Sequence, residues 1–309
     1  MPGKCTMILA TRGSDLALAQ TNEVMEALGA RFPDELVLQK AIVKTSGDVL
    51  KDAALRDFGG KGAFVREIDE RVLSGEADVA IHSLKDVPTN MHTDLAVAAV
   101  LPRRWYTDAL VSVWRLEQLP REARVGTSSV RRRALLLRAR PDLQVSAIRG
   151  NVPTRVQKWR AGDYDGVVLS TAGLRRLGLD APYEELDPEV FVPEPGQGAI
   201  ACVCKQGSRF EEFLERIDDP ATRAEVLVER EVLHTLGGGC VAPVGVHATR
   251  RGKGITVRAI VLSLDGRRAV TLREAIPGRD PLHEANELAE KLRRMGADVL
   301  LEEARKAMG

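Results

Sequence analysis

The chain has 309 residues, 44% hydrophobic and 29% charged, with 45 lysines and arginines against 44 aspartates and glutamates. That length exceeds one ordinary core and calls for two or three domains. The formal net charge of +1 gives no global field for a polyanion, so no nucleic-acid partner is expected, and no apolar run is long enough for a bilayer span.

The first hundred residues alternate strand-like and helix-like segments. Thr6–Thr11 reads as a strand, and Ser14 or Asp15 can cap a helix through about Leu28. Leu36–Thr45 is a second strand. A helix from about Ala63 to Leu73 follows the turn Gly59-Gly60-Lys61-Gly62, and strands are expected near Asp78–His82 and Leu95–Val100. Pro102-Arg103-Arg104 marks a crossing into a second lobe. There Arg124–Thr127, Leu143–Ile148 and Gly166–Ser170 read as strands, and Ser129–Ala139 and Val152–Arg160 as helices, the latter opened by Asn151. This βαβαβ rhythm argues for mainly parallel pairing with helices on both faces, and two such lobes suggest a cleft at the carboxyl ends of their strands.

Pro193-Glu194-Pro195-Gly196-Gln197-Gly198 reads as a return linker, after which Ala199–Lys205 has the pattern of a strand rejoining the first lobe. From about Pro220 a helix runs to His234. Strands at Gly245–Thr249, Ile255–Ser263 and Ala269–Glu274 follow, with a hairpin turn at Asp265-Gly266, and the chain closes in helices. The expected domains are 1–101 with 199–217, 102–198, and a small α+β domain at 218–309.

The four cysteines, Cys5, Cys202, Cys204 and Cys240, have the spacing of neither a zinc site nor a disulfide framework, so no metal is expected. Cys202 and Cys204 lie in an apolar strand pattern and read as buried thiols. The chain begins without a basic stretch leading into an apolar run, so no export signal is expected and the cytosol is the natural compartment. Cys240 differs from the other three because it ends the glycine run of Leu236-Gly-Gly-Gly-Cys-Val-Ala-Pro243. Glycines strip away shielding side chains, as suits an accessible thiolate. A helix C-cap with a small apolar residue tucked inward fits the same residues.

Arginines recur beside helix starts at strand ends. Arg12 follows the first strand, with Ser14 behind it. Thr127-Ser128-Ser129 opens the helix bearing Arg131, Arg132 and Arg133, while Arg149 follows a strand and Arg155 sits in the next first turn. Arg175 and Arg176 lie just beyond Gly166–Ser170. A cation in a first turn opposes the helix dipole and needs an anion, while helix N–H groups and a guanidinium fork bind anions well. A small ligand with several carboxylates satisfies the set, and the missing GxxxxGK[ST] loop argues against phosphates. His82-Ser83-Leu84-Lys85-Asp86-Val87-Pro88 adds a hydroxyl, an ammonium and a carboxylate at one strand end. Asp86 suits stabilisation of a cation formed during reaction, and a surface Lys85–Asp86 pair fits the segment equally.

Thr11-Arg-Gly-Ser-Asp-Leu-Ala-Leu-Ala-Gln20, Gly59-Gly-Lys-Gly62 with Phe64, His82-Ser-Leu-Lys-Asp-Val-Pro88, Val125-Gly-Thr-Ser-Ser-Val-Arg-Arg132, Arg149-Gly-Asn151 with Thr154-Arg155, Ala172-Gly-Leu-Arg-Arg-Leu-Gly-Leu179, Pro195-Gly-Gln-Gly-Ala199 and Gly238-Gly-Cys240 occur in this order. Together they closely resemble the porphobilinogen deaminase (hydroxymethylbilane synthase) family, over residues 5 to the C-terminus. The resemblance implies two lobes like type II periplasmic binding proteins, with mixed sheets, plus a C-terminal α+β domain that carries the cofactor cysteine. It implies a monomer that condenses four porphobilinogen molecules head to tail into a linear tetrapyrrole, with loss of ammonia, on a dipyrromethane primer attached to Cys240.

By the same resemblance Asp86 is catalytic and stabilises an azafulvenium-type cation. Ser83, Lys85, Thr127, Ser129, Arg131, Arg132, Arg149, Gly150 and Gly173 bind the cofactor, with Asp86. Arg12, Ser14, Arg149, Arg155 and Arg176 bind substrate carboxylates. Lys61 belongs beneath a loop, about 46–60, expected to close over the cleft. Many members carry a lysine two residues before the glycine pair, where this chain has Asp57. A binding protein on the same two lobes is the alternative, and it predicts no covalent pyrrole.

Overall fold

A computed structural model describes residues 4–44, 62–237 and 242–308. Its elements in chain order are β1 (Cys5–Arg12), α1 (Asp15–Arg31), β2 (Leu36–Val43), α2 (Gly62–Ser74), β3 (Val79–Ser83), β4 (Leu95–Val100), β5 (Asp108–Val111), β6 (Arg124–Gly126), α3 (Val130–Ala139), β7 (Gln144–Ser146), α4 (Val152–Arg160), β8 (Gly166–Ser170), α5 (Thr171–Arg176), β9 (Tyr183–Glu185), β10 (Ile200–Lys205), α6 (Glu211–Glu215), α7 (Pro220–Thr235), β11 (Val244–Arg251), β12 (Gly254–Leu262), β13 (Ala269–Ile276), α8 (Pro281–Arg294) and α9 (Ala297–Met308). The chain divides into two compact units, Met1–Arg104 with Ala199–Arg223, and Trp105–Gly198 with Ala224–Gly309.

The first unit is built on one five-stranded sheet in the order β2-β1-β3-β10-β4. β1 runs parallel to β2 and β3, and β10 is antiparallel to both β3 and β4. Both faces are covered, which explains why β1 and β3 read as continuous apolar runs. Leu9, Val79 and Ile81 pack with Val24 and Leu28 of α1 on one face, while Ala10 and Ala80 pack with Ile68 and Val72 of α2 on the other.

The second unit repeats that plan in the order β7-β6-β8-β5-β9. β6 is parallel to β7 and β8, and β5 is antiparallel to β8 and β9. In each sheet the antiparallel strand follows a crossing of the chain, so the expected mixed sheets have a simple origin. A third, antiparallel sheet, β11-β12-β13, packs its inner face against α7, α8 and α9. Ile260 and Leu262 of β12 join the core of the β5–β9 sheet. Close approach is enforced at Gly266, in the hairpin turn at φ 72°, where an added Cβ would stand 2.1 Å from the Ala134 carbonyl of α3.

Asp108, at the start of β5, is wholly buried. Arg131 donates to both its oxygens, Nη1 at 2.7 Å and Nη2 at 3.2 Å, and Arg132 Nε donates at 2.9 Å. Gln197 Nε2 donates to the same carboxylate at 2.9 Å and to the Tyr106 carbonyl, also at 2.9 Å. Burial alone raises the pKa of Asp108, but the two guanidiniums overcome it and hold the carboxyl well below the usual range. Its stabilisation is therefore complete above the ordinary carboxylate pKa of about 3.9. It is lost only as pH falls through the lower folded value.

Removing one partner of a buried pair leaves a charge uncompensated, at a cost of about 3–5 kcal/mol. Asp108→Ala should lower stability by that amount in urea unfolding at pH 7. A loss under about 1 kcal/mol would contradict the assignment.

Candidate functional site

The strand ends gather two groups of polar side chains, one in each unit. In the first, β1 ends at half-buried Arg12, and Ser14 caps α1 by accepting from Ala17 N at 3.4 Å. β3 ends at Ser83 and passes into a 3₁₀ turn, Leu84–Asp86, held by Leu84 N to the Ala199 carbonyl at 3.0 Å and Val87 N to the Leu84 carbonyl at 3.1 Å. Ser83 and Gln20 of α1 exchange hydrogen bonds of 2.9 and 3.1 Å. A cavity of about 200 Å³ is lined by Arg12, Ser14, Gln20, His82, Ser83 and Asp86, with Val65, Ile68 and Ile81 among its apolar walls. Lys85 stands half-buried beside Asp86 in the same turn. A guanidinium that can take a carboxylate thus shares a small cavity with a carboxylate that can face a cation.

In the second unit, β6 leads to buried Thr127, whose Oγ1 accepts from Ser129 N at 3.3 Å, and Ser129 caps α3 by accepting from Arg132 N at 3.4 Å. Successive helical residues point about 100° apart, so the three consecutive arginines diverge. Arg131 is 2% exposed and spends its fork on Asp108 and the Val192 carbonyl. Arg132, 6% exposed, bonds Asp108, Gln197 Oε1 and the Val168 carbonyl, and Arg133 is exposed. Arg131 thus has its fork engaged by acceptors of the protein itself.

α4 is capped by Asn151, which accepts from Thr154 N at 3.0 Å, and Arg155 Nε donates to the Gly150 carbonyl at 2.8 Å. Gly150 has φ 111°, and an added Cβ would meet Thr154 Cγ2 at 2.6 Å, so only glycine fits the turn that aims that carbonyl. Neither α3 nor α4 has an acidic residue in its first turn. Burial, and secondarily the charge of neighbouring Arg132, lowers the pKa of Arg155. Arg149 is exposed. Gly173 and Arg176 fall in the short helix α5, which the sequence left as the stretch beyond a strand. Gly173 N donates to Ser170 Oγ at 3.3 Å, and Arg176 Nη2 donates to the Gly198 carbonyl at 3.0 Å.

Lys61, the 46–60 loop with Asp57, and Cys240 lie outside the described residues. On the near side of Cys240, α7 ends at Thr235 and Gly237 takes a left-handed φ of 62°, its carbonyl accepting from Arg305 Nη2 at 2.7 Å. Cys202 and Cys204 are fully buried, and burial pushes the Cys204 thiol up to about 12. Gln20, Asp108 and the role of Gln197 escaped the sequence reading. Gln20 ends one of the quoted motifs and Gln197 lies within another, which was the available signal. Asp108 carried none.

Two family models cover most of the chain: porphobilinogen deaminase, dipyrromethane cofactor binding domain, over residues 7–211, and porphobilinogen deaminase, C-terminal domain, over 223–296. The chain belongs to the porphobilinogen deaminase family. It is 47% identical to a probable porphobilinogen deaminase of Methanocella arvoryzae, across 98% of this chain and 99% of that one. It is 43% identical to the porphobilinogen deaminase of Rubrobacter xylanophilus, across 96% of each. Among solved structures, a periplasmic domain of Bordetella pertussis BvgS has a TM-score of 0.39 at 14% identity, covering 69% of this chain and 86% of that one, a likeness too slight to carry an argument.

Family membership makes the chain a transferase of tetrapyrrole synthesis whose cofactor is dipyrromethane. The residues present fit that group. Arg132 and Arg155 bring two guanidiniums to one neighbourhood, and Asp108, the carboxylate paired there, is already shared with Arg131. The positive surplus suits a ligand bearing several carboxylates.

Because burial and Arg132 both disfavour its charge, Arg155 should be a burden to the protein without ligand. In a Cys240→Ser background, Arg155→Leu should leave the melting temperature equal or higher. The same change should weaken binding of a polycarboxylate pyrrole by about 10- to 100-fold in calorimetry, the worth of a charged hydrogen bond.

Proposed function

We propose that Asp86 is the catalytic carboxylate, and Cys240 the attachment point, of an enzyme that joins four porphobilinogen molecules head to tail into hydroxymethylbilane. The observation that carries this reading is the cavity in which Asp86 shares a wall with Arg12, Ser14 and Ser83. In each addition the aminomethyl C–N bond breaks and the nitrogen leaves as ammonia. The carbon left behind bonds the free α-carbon of the preceding pyrrole, which gives up its proton. Asp86, ionised, opposes the positive charge that spreads over the pyrrole when nitrogen departs, and it can accept from pyrrole N–H. Arg12 and Ser14 take the acetate and propionate of the incoming ring, holding it for attack.

The primer, when bound, supplies a fixed pyrrole end for the first addition. Arg132, Arg149, Arg155 and Arg176, with Lys85, Ser83, Thr127, Ser129 and backbone at Gly150 and Gly173, serve the carboxylates of the growing chain. Arg131 contributes by holding Asp108, and so Arg132, in place.

The second unit is read as two domains, 102–198 and 218–309, each with its own sheet, and the first as 1–101 with 199–217. We further propose a cytoplasmic monomer that binds no nucleic acid, a reading supported by the nearly balanced charge. Among the described residues no helix is long and apolar enough to cross a membrane.

Intact mass tests the central claim. Protein from cells supplied with porphobilinogen should carry two pyrrole units, and Cys240→Ala should carry none. A bare polypeptide mass from the wild type would sink the assignment. Asp86→Ala should keep part of the primer and lose ammonia release by about a thousandfold, the scale of a lost electrostatic stabiliser. Near-normal release would remove Asp86 from the mechanism.

A further inference from the structure

His82 and Ser83 are consecutive on β3, so their side chains leave opposite faces of the sheet. Each is held by a different helix. Ser83 is gripped by Gln20 of α1, and His82 Nε2 lies 2.8 Å from Asp69 Oδ1 of α2. An ionised carboxylate only accepts, so Nε2 carries the hydrogen in this contact. The pair is nearly closed to water, with the His82 side chain 4% and the Asp69 side chain 14% exposed. His82 also lines the cavity that contains Arg12 and Asp86, and its register neighbour on β10 is the uncharged Ala201.

A sheltered polar pair of this kind adds little stability over apolar side chains of the same size, and its attested use is to fix one arrangement among several. At this position the arrangement fixed is the end of β3. Two residues past His82 the chain has entered the 3₁₀ turn, and four residues past it stands Asp86. On its other side the pair anchors α2, whose Ile68 and Val65 form part of the cavity wall.

We propose that the Asp69–His82 hydrogen bond is a positioning device for the known reaction: it sets the ring of His82 against α2 and thereby the placement of Asp86 in the cavity. The inference rests on the reading of Asp86 as the catalytic carboxylate. His82 acts here through its N–H and not as a group that exchanges protons with substrate, so a side chain offering the same donor should replace it. Displacement of a catalytic group by about 1 Å can cost about a hundredfold in rate. The arginines and hydroxyls that bind substrate carboxylates are separate from the pair, so the loss falls on kcat and leaves KM near its normal value.

The test uses full-length protein isolated from cells supplied with porphobilinogen, with intact mass and melting temperature recorded before kinetics. His82→Leu and Asp69→Ala should keep the pyrrole adduct and lose kcat by about 10- to 100-fold at 25 °C, with KM within about threefold. His82→Gln, which keeps an N–H near the Nε2 position, and Asp69→Asn, which keeps an acceptor, should recover kcat to within about threefold. Wild-type kcat in His82→Leu would overturn the proposal, as would equal losses in His82→Gln and His82→Leu, or a loss confined to KM. If His82→Leu fails to fold, the comparison of Asp69→Ala with Asp69→Asn decides in the same way. Normal turnover in Asp86→Ala would instead strike at the reading on which this rests, and the two failures are told apart by that variant alone.

Discussion

Within the second unit the arrangement around the arginines of α3 turns on the buried carboxylate of Asp108. Asp108 receives hydrogen bonds from Arg131, Arg132 and Gln197, with no water-exposed surface of its own. Two guanidiniums in the first turn of α3 oppose the helix dipole, and only an anion beneath them makes that turn tenable. Asp108, together with Glu194 acting on Arg131, faces Arg131 and Arg132, and the neighbouring Arg155 leaves a surplus of positive charge. The surplus is held in place by a buried network whose members are nearly all satisfied, so Arg132 is presented in a fixed pose.

That local surplus is invisible in the whole-chain charge of +1. Arg155 is held by the Gly150 carbonyl at a turn only glycine can make. The first unit works on the opposite principle. It brings the carboxylate of Asp86 to a cavity that is also lined by Arg12. A reaction on a polycarboxylate that passes through a cation needs both environments, cations for the side groups and an anion for the reacting ring.

Much of the fold was legible in sequence because helix and strand periods are local. Leu95–Val100, Val152–Arg160 and Gly166–Ser170 were read to the residue, and Ser14, Ser129 and Asn151 stand as N-caps with side-chain bonds to their helices. What escaped was non-local. β5 is four residues opening on an aspartate, and β9 is Tyr-Glu-Glu, so neither offers a period to detect. Both chain crossings were marked by proline-bearing segments, but the antiparallel direction of the strand after each is a matter of pairing that no window of sequence records. The site was legible as residue types and less so as roles. Three consecutive arginines look equivalent in sequence, whereas helical rotation sends Arg131 to the core and Arg133 to solvent. Likewise Asp69 and His82 belong to separate elements, and only the packing of α2 on β3 makes them partners.

The position of β10 has a consequence for synthesis. The strand sits between β3 and β4, yet it is made roughly a hundred residues after them. While the ribosome is still producing the second sheet, whose strands β5 to β9 are all close in sequence, the first sheet has a gap where its fourth strand belongs. β3 and β4 then present unpaired backbone edges for the whole interval. The nascent N-terminal hundred residues are thus an open template that closes only when the chain returns, making this the slow and aggregation-exposed step of maturation.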